Sequence, residues 1–151
     1  MAGGWSLSFI GSALSGTPLT ITAGSDRNLD GNGNDRANLV GDPRLDANRP
    51  RNELVDKFFN TAAFAQPLNG TTGNAGRSII DGPGLKNVDM GIFRDFRIME
   101  GKVLQFRGEL SNSFNLVNLS NPGTAQNGST FGKVSSAGPM RQVQMGLRFT
   151  F

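Results

Sequence analysis

The chain has 151 residues and a formal charge of +3 from 15 basic and 12 acidic side chains, the size of one domain or of a segment of something larger. It contains neither Cys nor His, which excludes disulfides, thiolate and imidazole metal sites, cysteine nucleophiles and Ser-His-Asp triads. With 21 Gly, 15 Asn and 7 Pro, over a quarter of the chain forms turns and disfavours helix, so a helical bundle is not expected.

The basic balance does not indicate nucleic acid. Acidic and basic residues are interleaved, with no run of four Lys or Arg and no basic helix face. No apolar run reaches the ~18 residues of a transmembrane helix, although barrel strands are short and only alternately apolar. Residues Met1–Trp5 lack a charged segment followed by an apolar core, so no signal peptide is expected within this chain.

In chain order, the first pattern is a dyad repeat. Trp5, Leu7, Phe9, Gly11 and Ala13 alternate with Ser6, Ser8, Ile10 and Ser12, and Leu19–Thr22 resumes an extended pattern after Gly16-Thr17-Pro18. This predicts one long strand, or two collinear pieces, over 4–23. Residues 24–85 are crowded with Gly, Asn, Asp and Pro and read as a long loop. Within it only Arg51–Phe59 looks helical, with Leu54, Val55, Phe58 and Phe59 on one side, and the nearby Arg44, Arg49 and Arg51 read as a solvated loop. So long an irregular stretch suggests a functional loop on a larger scaffold.

Alternation then returns. A strand is expected over 86–97, a tight connection at Met99-Glu100-Gly101, a second strand over 102–112, a polar loop over 112–139 and a last strand over 141–151. The last strand sets Val143, Met145, Leu147, Phe149 and Phe151 against Gln142, Gln144, Gly146, Arg148 and Thr150. The expected fold is therefore all-β, a long-strand antiparallel meander of about four strands with two long loops. Strands of ~10–12 residues suit a tilted bilayer crossing, and one short connection between two long loops suits the turns and outer loops of a membrane barrel. A chain that stops within a strand fits the same reading. The segment is expected to be part of a transmembrane β-barrel, or an oligomeric or compact β assembly when it stands alone.

Several stretches together resemble a known family: GWSLSFIGSALSGTPLTI (4–21), NGNDRANLVGDP (32–43), FFNTAAFAQP (58–67), GTTGNAGRSIIDGPGLKNVDMGIFRDFRI (70–98), LQFRGELSNSFNLVN (104–118) and FGKVSSAGPMRQVQMGLRFTF (131–151). They resemble the C-terminal end of TonB-dependent outer-membrane receptors, especially the Oar-like group with a carboxypeptidase-regulatory-type plug extension. The resemblance implies a bacterial outer-membrane location and a barrel of about 22 strands around a plug, of which this segment supplies the last strands and two outer loops. It implies a role in barrel closure and ligand capture, without transport by this segment alone. Phe149 and Phe151, with their alternating apolar neighbours, then look like the signal read by the barrel-assembly machinery. The implied partners are outer-membrane lipid, that machinery, and the remaining receptor strands or further copies of the chain.

Two constellations carry candidate chemistry. Asp26, Asn28, Asp30 and Gly31 fill a D-x-[DN]-x-[DN]-G pattern, and Asn32 and Asp35 add oxygens, so the loop fits a hard cation such as calcium. The twelfth position is Ala37 where a bidentate Glu belongs, and the same residues also suit a polar Asx-turn loop. Asp89, Asp95, Glu100 and Glu109 have the residue types for two-carboxylate glycoside hydrolysis, or they line a barrel interior, with Arg107, Arg148 and Glu109 as a cross-strand ionic ladder. A free-standing β protein with a calcium loop or carboxylate-based hydrolysis is thus the alternative to the receptor segment, and no catalytic residue is assigned.

Overall fold

The computed structural model describes residues 4–151; Met1–Gly3, part of the stretch read for a leader, lie outside it. The chain forms strands β1 (Trp5–Leu14), β2 (Pro18–Leu19) and β3 (Asn38–Leu39), helix α1 (Arg51–Asp56), and strands β4 (Phe64–Ala65), β5 (Ile80–Asp81), β6 (Leu85–Met99), β7 (Lys102–Ser111) and β8 (Gln142–Thr150). They fall into two compact units: one of residues 4–14, 85–118 and 138–151, the other of 15–84 and 119–137.

The first unit is an all-β, antiparallel four-stranded sheet in the order β1-β6-β7-β8. Pairing across all four strands is in phase. Leu7 lies opposite Ile92, Ile92 opposite Gly108 and Gly108 opposite Met145; one row on, Phe9, Met90, Leu110 and Val143 form the next line. Because successive side chains in a strand alternate faces, most apolar residues of every strand fall on one side, with Ile10, Phe93 and Val103 among those on the other. Ser6, Ser8, Gln105, Arg107, Glu109, Gln144 and Arg148 fall on the other, as the dyad repeat predicts. The β6–β7 connection is tight because Gly101 adopts φ +75°, a conformation that favours glycine, and the register shifts between Arg97 and Met99 beside it.

The two long loops expected at 24–85 and 112–139 lie largely in the second unit. Both contribute to a packed body whose core is Ile21, Ala37, Phe59, Ala63, Phe64, Ala75 and Ile80. Phe59, Phe64 and Phe131 meet edge to face, with centroids 5.2–6.1 Å apart. Two short ladders, β2 with β5 and β3 with β4, tie the walls together.

The strand expected over 4–23 ends at Leu14. A Cβ at Gly16 would stand 1.7 Å from the carbonyl oxygen of Gly82, so the backbone turns there to meet that segment. Pro18 and Leu19 then pair with Ile80 and Asp81 in the second unit. The helix expected over 51–59 stops at Asp56, with Phe59 buried in the core and Lys57 closing the turn through its amide to Glu53.

Candidate functional site: a two-faced sheet and a grooved second unit

The apolar side of the sheet lies open. Leu7 is 73% exposed, Phe9 79%, Met145 74% and Leu147 71%, and an apolar surface of this extent is foreign to a monomer in water. From Lys86 to Phe96 along β6, ten residue steps of ~3.4 Å run ~34 Å. A tilt of ~40° reduces this to ~26 Å, close to the ~25 Å apolar band of membrane barrels. Aromatic rings gather near the tight-turn end. Trp5 meets Phe106 edge to face at 6.1 Å, and Phe149 stacks on Phe151 at 5.9 Å. Phe96 joins them through the row Phe96, Leu104, Phe149. The sequence offers one Trp and no Tyr, so phenylalanine fills most of this girdle, a grouping visible only once the register is known.

The opposite side is polar. Arg107 donates to Glu109 Oε1 at 2.6 Å through Nη2 and 3.0 Å through Nε, and its guanidinium lies 5.6 Å from the Phe93 centroid. Gln105 donates to Asp95, and Asp89 accepts from the Asn87 side chain and the Asn112 amide, each at 2.9 Å. The expected cross-strand ladder is absent. Arg107 and Glu109 pair along one strand, since Arg107 faces Phe93 and Gly146 across the sheet and Arg148 faces Gln105. Asp89 and Glu109 border one open concavity with Ser8 and Gln144, yet each is engaged by a neighbour, Asp95 accepts from Gln105, and Glu100 sits in the turn. These groups suit the lining of a water-filled interior.

The aspartate-rich loop holds itself together. Asp26 accepts the amides of Leu29, Asp30 and Gly31 at 2.7, 3.2 and 2.8 Å. Asp35 accepts those of Arg27 and Asn28, Asn28 that of Asp30, Asp30 that of Asn32, and Asn32 that of Asn34. The oxygens that the spacing offers to calcium thus serve as a succession of Asx caps. Among the described residues no group of three or more acidic side chains is arranged to hold a metal ion.

Within the second unit, Pro43, Arg44, Leu45, Leu54, Phe58 and Ile80 line a cavity of about 500 Å³. Arg49 is structural here. Its guanidinium donates to the carbonyls of Asp46, Lys57 and Phe58 at 2.7, 3.0 and 3.2 Å, which corrects the solvated-loop reading for this residue. Sequence reasoning missed the groove because its walls come from four separated stretches, 43–49, 54–59, 79–84 and Leu119.

A two-faced antiparallel sheet with an exposed apolar band, an aromatic girdle and a polar reverse defines a membrane β-barrel segment. The chain belongs to the outer membrane beta barrel domain family, whose model matches residues 1–144, and its place is the bacterial outer membrane. Comparison with curated proteins and with solved structures returns no match.

Proposed function

We propose that this chain supplies strands and an outer-loop unit to a TonB-dependent receptor of the Oar-like kind, the sheet contributing to barrel closure and the groove of the second unit to ligand capture. The observation that carries the reading is the sheet with two faces and two unpaired edges. Along β1 and β8 one row of backbone hydrogen-bonding groups has no partner strand among the described residues. In lipid such edges must be paired, and four strands are too few to close even the smallest barrels, of about eight. Further strands therefore flank both edges, from the rest of a receptor in preference to copies of this chain. Phe149 and Phe151, exposed and stacked, suit recognition by the assembly machinery during insertion.

The chain has no cysteine, so introduced thiols are unique. With Ser8→Cys on β1 and, separately, Gln144→Cys on β8, each thiol carrying a benzophenone maleimide, photo-cross-linking in outer membranes is expected to join each edge to strands of a plug-bearing receptor polypeptide, identified by mass spectrometry. Cross-links running only from the β1 edge of one copy to the β8 edge of another would replace the receptor reading with self-assembly.

A further inference from the structure

The apolar face of the sheet carries no carboxylate. Its charged residues within the four strands are Lys86 near the long-loop end and Arg94 and Lys102 toward the tight turn, all cations, whereas Asp89, Asp95, Arg107, Glu109 and Arg148 lie on the polar face. Arg94 is unusual among them. Its guanidinium carbon lies 5.0 Å from the Trp5 ring centroid and 4.7 Å from that of Phe96, and Phe106 stands opposite it on β7. Among the described residues it takes part in no ion pair; the two present are Arg107 with Glu109 and Lys133 with Asp56.

A guanidinium is planar, with aromatic contacts available to its faces and five N–H donors around its edge. Here the rings take the faces, and no carboxylate takes the edge. On a lipid-facing surface, unmet charged donors are costly, and the acceptors within reach of a snorkelling side chain are phosphate oxygens at the membrane boundary. Arg94 lies in the row of Trp5, Phe106 and Leu147, one row inside that of Phe96 and Phe149, at the depth where aromatic girdles mark that boundary. Tight turns of outer-membrane barrels face the periplasm, which selects the inner leaflet.

We propose that Arg94, framed by Trp5, Phe96 and Phe106, is a binding site for the phosphate of an anionic glycerophospholipid in the periplasmic leaflet, with Lys102 adding positive potential nearby. The rings hold the guanidinium flat against the barrel wall, and its free edge forms a paired N–H to phosphate-oxygen contact. Such a lipid would seal the barrel wall at this position.

Trp5 is the only tryptophan and reports on the site directly. The chain, assembled with the strands that flank its edges, is reconstituted into phosphatidylcholine vesicles carrying equal small fractions of brominated phosphatidylglycerol or brominated phosphatidylcholine, and the quenching of Trp5, taken as the difference from a Trp5→Phe control, is compared. A cation at the membrane surface is expected to enrich the anionic lipid about fivefold, so the glycerol lipid quenches more strongly. Arg94→Gln should abolish the difference and Arg94→Lys should keep part of it. Arg97→Gln removes the same charge near the turn from the polar side and should leave the difference intact. Equal quenching by the two lipids in the unaltered chain overturns the site, as does a preference that survives Arg94→Gln or disappears equally with Arg97→Gln. If Arg94→Gln fails to insert, the unaltered chain and Arg94→Lys still decide.

Discussion

Met145→Arg tests whether the exposed apolar face meets lipid. Met145 is 74% exposed, so the substitution removes little protein packing, and in water a surface change of this kind costs within ~0.5 kcal/mol. Its row, shared with Ile92, Gly108 and Leu7, lies one residue from the midpoint of the Lys86–Phe96 span. An arginine facing lipid at the bilayer midplane costs ~2–4 kcal/mol, a factor of about 30 to 1,000 in the folding equilibrium. Leu147→Arg lies one row toward the girdle, where Arg94 already stands, and should cost less because the penalty falls to ~0–1 kcal/mol at the interface. Gln144→Arg, on the polar face beside Met145, should be nearly neutral. Urea unfolding of the chain assembled with its flanking strands in phosphatidylcholine vesicles, followed by Trp5 fluorescence as the difference from a Trp5→Phe control, measures all three. Equal small costs at Met145 and Gln144 would refute the assignment of the face to lipid.

Further outcomes follow from other parts of the molecule. Phe59→Ala removes a ring that is 2% exposed and contacts both Phe64 and Phe131; it should cost ~3–5 kcal/mol, seen as faster proteolysis within 15–84 and 119–137 while the sheet stays protected. Asp26→Ala strips the acceptor from three backbone amides and should destabilise that unit by ~1–3 kcal/mol, equally in calcium and in chelator; a loss seen only in calcium would assign the loop to the cation. Phe149→Ala with Phe151→Ala removes the stacked pair at the end of β8 and should lower the fraction of chain recovered in outer membranes, with expression unchanged, whereas Thr150→Ala between them should not.

The sheet was legible because one rule governs it. Each long strand places alternate residues in two different surroundings, so the period of two survives in the sequence wherever β1, β6, β7 and β8 occur. Ile10 and Phe93 break the pattern on the polar side, and Phe93 has an evident role: its ring covers Gly91, whose absent Cβ would stand 2.8 Å from it. Strand ends were less legible. Leu19–Thr22 continues the alternation of β1, but the close approach of Gly16 to Gly82 diverts the chain, and that contact spans 66 positions of sequence.

The second unit escaped reading for the opposite reason. Its core residues, from Ile21 to Phe131, are scattered singly or in adjacent pairs through turn-forming sequence with no shared period. Its most motif-like segment is open to two readings on residue type alone. Alternate Asp and Asn side chains satisfy backbone amides two to five positions ahead as readily as they would surround an ion, and both uses need the same short oxygen-bearing side chains at the same spacing. What separates them is where the lone pairs point. In this loop they point at the chain's own N–H groups, so that residues 26–35 are held by their own side chains.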